Sequence, residues 1–444
     1  KDAGADAWKG NSVKIEADKT EFVGYTDYQC DAKVLAIVNA DGELADMLGA
    51  GEQGVVVLDK TPFYALSGGQ VGDTGRISKD EGNSFTVADT AKNADGIYLH
   101  QGEVEKGIIS VGDTVSAGIT QLRRAAIMRN HTAAHLLQAA LRAVLGTHVE
   151  QAGQLVDANE VRFDFTHFSP MTDEEISLVE QKVNSFIMRA ETVTMQEMPI
   201  EEAKKMGAMM LFGEKYGAIV RVVQAGDFST EFCGGTHVAN SGQIGLFKIV
   251  SEASVAAGVR RITAITGTNV LKHIAQADAT IGFAAAALKA NGTDIESKLT
   301  ALVEENKAKD KEIKALEEEL TRLKSADLFS APASVSGLDF YTATLQDVAP
   351  DALRSMGDDL KNKGDNVVAV IAGVNGDKAN IVAVCGKNAI AKGIKAGDVV
   401  REIAKLAGGG GGGRPDSAMA GCKDVSRLAA AMEKAQDIVK SYIK

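Results

Sequence analysis

His131-Thr-Ala-Ala-His135-Leu-Leu-Gln-Ala-Ala-Leu-Arg-Ala-Val-Leu-Gly146 is the stretch that decides how this chain is read. It sits in a run beginning near Gln121 with Leu136, Leu137, Ala140, Leu141 and Leu145 at helical spacing, and Gly146 is a natural stop. On such a helix, residues four apart share a face at roughly 6 Å. His131 and His135 can therefore clamp one ion. Farther along, Cys233-Gly-Gly-Thr-His237 repeats the four-residue spacing across a Gly-Gly turn, where the backbone can fold two side chains toward a common point. Three imidazoles and one thiolate suit tetrahedral zinc, one ion per chain. His100, His148, His167 and His273 lack such partners and read as ordinary residues.

The rest of the composition is that of a soluble, reducing environment. The 444 residues suggest about three domains, and the 45% apolar content is ordinary for a globular protein. The longest apolar run, Val367 to Val374, is far too short to span a bilayer, and no signal-peptide pattern opens the chain. Cys30, Cys233, Cys385 and Cys422 are too scattered for a disulfide framework. The expected compartment is the cytoplasm, with no membrane partner. A net charge of −12 disfavours nonspecific nucleic-acid binding by the whole surface while allowing local basic patches. The chain starts at Lys1 rather than Met, which reads as a fragment of something longer.

Around the histidine helix the pattern changes several times. From about Thr20 to Thr120, short β-like runs (Val34–Val38, Val55–Leu58, Gly75–Ile77, Ser84–Val87) alternate with Gly and Asp turns, predicting a small barrel or sandwich. After Gly146 an α+β region is expected, with a helix from Asp173 to about Ala190 and strands near Ile219–Val223, Gly245–Val250 and Arg260–Thr266. Ile295, Leu299, Leu302, Asn306, Lys309, Ile313, Leu316, Leu320 and Leu323 follow a heptad. That pattern suits an intermolecular coiled coil, a single long surface helix or an antiparallel helical hairpin. Residues from Ser330 to Ser336 read as a Pro/Ser linker. Beyond them, strands (Phe340–Leu345, Val367–Val374, Asn380–Val384) alternating with helices (Asp351–Asn362, Val399–Ala407, Val425–Tyr442) favour an α/β layer structure. The six glycines Gly408 to Gly413 followed by Arg414 read either as a flexible connector or as a loop that lets backbone approach phosphate or ribose.

Longer motifs accompany the two ligand pairs: Thr61-Pro-Phe-Tyr-Ala-Leu-Ser-Gly-Gly-Gln-Val-Gly-Asp73, His148-Val-Glu-Gln-Ala-Gly153, Arg162-Phe-Asp-Phe165, Phe212-Gly-Glu-Lys-Tyr216 and Gly258-Val-Arg-Arg-Ile262. Together they resemble the alanyl-tRNA synthetase family, in particular its post-transfer editing domain, which is shared with freestanding alanyl editing proteins and more distantly with the threonyl enzyme. The glycine run with Arg414-Pro-Asp416 resembles that family's C-terminal domain, related to the substrate-binding domain of DHH-type phosphoesterases.

The resemblance implies a multi-domain α+β chain: residues 1–20 a linker remnant, 21–120 a β-barrel subdomain of the editing region, 121–268 a zinc-binding editing core, 269–328 a helical coiled-coil segment, and 329–444 a C-terminal α/β tRNA-binding domain. It implies hydrolysis of tRNA(Ala) mischarged with serine or glycine, a homodimer through the helical and C-terminal regions, and fusion to an N-terminal aminoacylation domain. Serine and glycine differ from alanine by one small group, so a single pocket discriminates by only ~10- to 200-fold and a second, hydrolytic sieve is needed. By the same resemblance His131, His135, Cys233 and His237 hold zinc, Gln151, Gln70 and Cys233 are catalytic, and Leu66, Gly69, Ala134 and Arg414 contact substrate or tRNA. Three positions depart from the family: Leu66 for a usual Glu, Ala134 for a common Thr and Gln154 for a frequent Ser. Leu66 and Ala134 would change the polarity of the pocket. They keep open a rival reading, a tRNA-binding and oligomerisation module with a structural zinc and an impaired editing pocket. A zinc hydrolase of small amino-acid esters is a weaker third. Neither a Gly-x-x-x-x-Gly-Lys-Ser/Thr phosphate loop nor class II ATP-binding motifs are found, so no aminoacylation site is expected in this chain.

Overall fold

Alternating apolar residues close the first strands into a barrel. The strands are β1 (Gln29–Asn39), β2 (Gln53–Leu58), β3 (Gly75–Asp80), β4 (Asn83–Lys92), β5 (Tyr98–Lys106) and β6 (Thr114–Ile119). Each pairs antiparallel with its neighbour in the order β6-β3-β4-β5-β2-β1, and β6 returns to β1 to close the ring. Val115 and Ala117 of β6 point inward with Phe85, Val87, Ile77, Val56 and Ile37, as period-two patterning requires. The computed structural model describes residues 14–15, 17–210 and 216–444, with backbone alone at 318, 321–322 and 324–328. Phe212 to Lys215 of the quoted motif, and 1–13 and 16 of the leading segment, lie outside the described residues. The chain divides into two units, 1–282 and 283–444.

A buried histidine in the barrel sets a pH limit. His100 is fully buried; its Nδ1–H donates to Val56 O at 2.8 Å, and Thr61 Oγ1 donates to its Nε2 at 2.7 Å. Both nitrogens are thus satisfied in the neutral ring, and burial pushes its pKa down to about 4. As pH falls through about 6.5 the unfolded chain takes up this proton, and the folded barrel does not until about pH 4. The stability this group contributes is complete above pH 6.5 and is lost between 6.5 and 4. We expect His100→Leu to reduce the loss of unfolding free energy between pH 7 and pH 4.5 by about 2–3 kcal/mol, measured by urea denaturation. Equal losses in both chains would refute this origin.

The first unit continues with α1 (Gln121–Leu145), stopped at Gly146, β7 (Gln151–Val156), β8 (Val161–Thr166) and α2 (Asp173–Met188). The Thr172–Glu175 capping box starts α2. Then come β9 (Val193–Pro199), β10 (Ile219–Ala225), β11 (Ser229–Phe232), β12 (Phe247–Ala256) and β13 (Val259–Thr266). A four-stranded sheet, β7-β8-β13-β12, packs Phe163, Phe165, Ile262 and Ala264 against Leu136, Leu137, Val179 and Val183 of the two helices. A three-stranded sheet, β9-β10-β11, stands beside it. The region is mixed α+β, as the sequence leads one to expect.

Two helices cover the segment from 268 to 328: α3 (Thr268–Ala287) and α4 (Ile295–Leu328), the second where the heptad was read. They are broken where Lys289 takes φ 48° and Asn291-Gly292, both poor helix formers, follow. Every heptad residue from Ile295 to Leu323 therefore lies on one long helix. Leu299, Leu302, Ile313, Leu316, Leu320 and Leu323 on α4 are between 42% and 59% exposed. Among the described residues no helix is long and apolar enough to cross a membrane.

The second unit is a three-layer α/β sandwich. Its sheet runs β14 (Ala333–Val335), β15 (Leu338–Gln346), β16 (Val367–Asn375), β17 (Lys378–Cys385), β19 (Ser417–Cys422), β18 (Gly410–Gly413), with only β15 and β16 parallel. The helix Pro350–Lys361 crosses between that parallel pair and covers one face with Leu353, Met356 and Leu360. The helix Ala396–Leu406 covers the other. Val367 to Val374 are all buried because both faces are covered. Two expectations are corrected here. The Ser330–Ser336 linker contains the edge strand β14, and four of the six glycines form the edge strand β18, each in register with β19.

Candidate metal centre and cleft

The helix and the glycine turn bring the four expected ligands to one point. His131, His135, Cys233 and His237 have ligand atoms within 4.8 Å of one another, with the three imidazoles buried and Cys233 partly so. Cys233 Sγ lies 3.4 Å from His131 Nε2 and 3.3 Å from His237 Nε2. Gly235 makes this possible: a Cβ there would stand 2.1 Å from His131 Cε1.

Each imidazole has an oxygen behind it. His131 Nδ1–H donates to Gln70 Oε1 at 2.8 Å. His237 Nδ1–H donates to Thr132 Oγ1 at 3.2 Å, whose hydroxyl in turn donates to Met128 O at 2.9 Å. His135 Nδ1 faces Glu231 Oε2 at 3.6 Å, just beyond hydrogen-bond range. Thr236 N donates to Gln70 Oε1 at 2.9 Å and Gln70 Nε2 donates to Thr236 Oγ1 at 2.9 Å, which orients the carboxamide. For His131 and His237 these bonds set the tautomer, leaving an Nε2 lone pair toward Cys233, the arrangement that metal-binding histidines use.

Burial dominates the electrostatics. It pushes the His135 pKa down to about 3 and those of His131 and His237 well below the ordinary value, helped by neighbouring imidazoles and Arg221. The rings are therefore neutral, the form that ligates. Burial pushes the Glu231 carboxyl up to about 8, against a 2.9 Å hydrogen bond donated by Ser229 Oγ. Outside the cluster, Arg221 Nη1 donates to Cys233 O at 3.0 Å and Gly235 O at 2.8 Å. Its guanidinium lies 4.1 Å from the Tyr25 ring centroid, and Tyr25 Oη donates to Gly234 O at 2.7 Å. The Cys-Gly-Gly turn is thus held from the barrel side. Three imidazoles, a thiol and their oxygen partners form a donor set that fits zinc.

The cluster borders a cleft of about 510 Å³ lined by Tyr64, Ser67, Lys92, Gln151, Gln154 and, from the cluster, His135 and Cys233. Ser67-Gly68-Gly69-Gln70 is a tight turn closed by paired hydrogen bonds, with φ of 58° and 80° at its glycines. It is both hairpin and cleft wall. Gln154 Nε2 donates to Gly68 O at 2.7 Å, and a Cβ on Gly69 would press on Gln154 Cγ at 2.4 Å.

The structure distributes the sequence-nominated residues unevenly. Gln151 and Cys233 line the cleft. Gln70 is fully buried behind His131, so it positions a ligand without access to a substrate. Leu66 is 41% exposed between Tyr64 and Ser67 but does not line the cleft. Ala134 is 1% exposed and belongs to the helix–sheet core cluster rather than to the cleft lining, so its expected effect on pocket polarity is corrected. Arg414 lies in the second unit, its side chain 80% exposed and 3.5 Å from Asp416. Sequence reasoning missed Glu231, Thr132, Arg221 and Tyr25. Glu231 alone had a usable signal, a carboxylate two residues before the thiol in a β-like run.

Comparisons with known proteins bear on the family. The "Threonyl and Alanyl tRNA synthetase second additional domain" matches residues 220–263, "tRNA synthetases class II (A)" matches 5–123, and the "DHHA1 domain" matches 337–442. Alanine–tRNA ligase of Acetivibrio thermocellus is 47% identical over 98% of this chain and 50% of its own length. The ligase of Alkaliphilus oremlandii is 44% identical over 99% of the chain and 49% of its own length. The solved C-Ala domain of Aquifex aeolicus alanyl-tRNA synthetase is 31% identical, with a TM-score of 0.23, over 24% of this chain and 97% of that domain. The chain thus spans about half the length of the curated relatives it matches. It belongs to the alanine–tRNA ligase family, whose C-terminal part it fits.

Proposed function

We propose that this chain is a zinc-dependent aminoacyl-tRNA deacylase that removes serine or glycine wrongly esterified to tRNA(Ala). The observation that carries the reading is the juxtaposition of the N₃S cluster with a cleft lined by Gln151, Gln154 and Ser67. His131, His135, Cys233 and His237 hold the ion; when bound, zinc supplies Lewis-acid polarisation of an ester or of water. Gln151 offers its carboxamide to the aminoacyl group, and Gln70 fixes the ring of His131. Within the same proposal, 21–120 and 121–268 act as one editing region in a cytoplasmic enzyme. Residues 269–328 and the tail from 329 carry dimerisation and tRNA contact, with Gly408 to Gly413 and Arg414 on the tRNA side. An aminoacylation domain precedes this part in the whole enzyme. Four protein ligands also close a tetrahedron as structural zinc sites do, which favours the second reading, a tRNA-binding and oligomerisation module.

One assay separates the two. Seryl-tRNA(Ala) should lose serine in the presence of the chain while alanyl-tRNA(Ala) persists, and Cys233→Ala should slow this by about two orders of magnitude or more. No deacylation by a folded, zinc-replete chain that still binds tRNA would leave only the second reading.

A further inference from the structure

We propose that Lys92 forms a phosphate subsite at the rim of the cleft, taking the phosphodiester 5′ of a nucleoside whose ester lies at the four ligands. The inference rests on the reading of the cleft as an ester-hydrolysing site, and it adds a binding group that neither motif nor resemblance supplied.

Besides Cys233 and the tyrosines, four charged or chargeable side chains line the cleft, and three are engaged. His135 and Glu231 are buried against each other. Arg221 is held by two carbonyl oxygens and the Tyr25 ring. Lys92 differs: it ends β4, it is exposed, and among the described residues no ion pair engages it. Its Nζ stands 5.6 Å from the centroid of Tyr98, its register partner on β5. Tyr98 is 8% exposed and stacked on Phe22 at 5.6 Å, so the ring is a fixed perch. A cation resting on an aromatic face keeps N–H donors free on its outer side.

The ligand class follows from charge and size. A net charge of −12 repels an anion over most of the surface, so a cation at the cleft is where an anion gains. A cleft of about 510 Å³ falls in the range that holds small ligands, about 300–1,000 Å³. A lysine ammonium recognises phosphate as a point charge, without reading sequence. An uncharged nucleoside ester would make no use of it, whereas the last linkage of an RNA strand would.

The test compares adenosine with adenosine 5′-(methyl phosphate), titrated into the full chain by calorimetry or NMR. The phosphodiester should raise affinity about tenfold in the unaltered chain. That gain should fall below about twofold in Lys92→Ala and persist in Lys92→Arg. A tenfold gain retained by Lys92→Ala, or no gain in the unaltered chain, overturns the subsite. Hydrolysis of seryl-tRNA is scored separately. Phosphate gain without hydrolysis sinks the deacylase reading and leaves the subsite, while hydrolysis without the gain does the reverse.

Discussion

Arg124→Met is expected to destabilise the first unit by about 3–5 kcal/mol and to lower its melting temperature by about 10 °C. Arg124 is 1% exposed and sits on α1 where that helix meets the barrel. Its Nε donates to Asp73 Oδ1 at 3.1 Å and Oδ2 at 2.9 Å, and its Nη2 also pairs with Asp73. Nη1 donates to Gly24 O at 2.7 Å and Nη2 to Pro62 O at 3.0 Å. Methionine fills the volume but leaves a buried carboxylate and two buried carbonyls short of donors. The carboxylate is the larger part of the cost, because among the described residues Asp73 keeps only the Tyr64 N–H, at 2.8 Å. Combining Arg124→Met with Asp73→Asn should therefore recover about 1–2 kcal/mol. Urea unfolding of the three chains measures this. Additive losses in the double variant would show that the charge is not the cause.

The other large effect is expected at Gly235. Gly235→Ala should weaken metal binding by at least about 100-fold while the far-UV circular dichroism stays unchanged. The added methyl would fall 2.4 Å from His131 Nδ1 and 3.0 Å from Gln70 Oε1, so the ring must swing off its hydrogen bond or the turn must lift. Either motion moves a donor atom. The adjacent Gly234 is the control: nothing lies within 4 Å of a Cβ built there, and its alanine variant should bind within a few-fold of the unaltered chain. Competition with a chromophoric chelator, and the thiolate-to-cobalt charge-transfer band of the cobalt-loaded chain, read both variants. Equal losses at 234 and 235 would contradict the steric account.

The clustering of the four candidate ligands was legible because each pair is local: a helix brings i and i+4 together, and a Gly-Gly turn does the same for Cys233 and His237. Which oxygens stand behind the imidazoles was not legible, although the resemblance had nominated Gln70 for another role and Glu231 carried a local signal. Gln70, Thr132 and Glu231 reach the cluster from a barrel loop, a helix and a strand, and only long-range packing brings these together. Tyr25 and Gly234 are 209 residues apart, and no spacing encodes that hydrogen bond. Local signals also misled. Glycine propensity left Gly408 to Gly413 as a connector or a loop, yet Gly410–Gly413 pair as a strand with Ser417–Cys422, packed so closely that a side chain at Gly411 would meet Ala420 Cα at 2.4 Å. Ala134 looked like a pocket position by its place between two histidines, but a helix turns by about 100° per residue and carries it into the core. The barrel strands Tyr98–Lys106 and Thr114–Ile119 went unread, the first because Gly102 and its charged residues dilute the alternation.

The Tyr25 and Gln70 contacts carry a thermodynamic obligation. The ligands come from His131 onward, whereas two of the groups that steady them come from residues before 75. An ion at the cluster and the seating of the barrel against α1 are therefore linked quantities. Whatever free energy barrel seating adds to ion binding, the bound ion must return to barrel seating in equal measure. Stripping the ion should loosen an interface it does not touch, and protection of barrel-edge amides from exchange would rise and fall with metal occupancy.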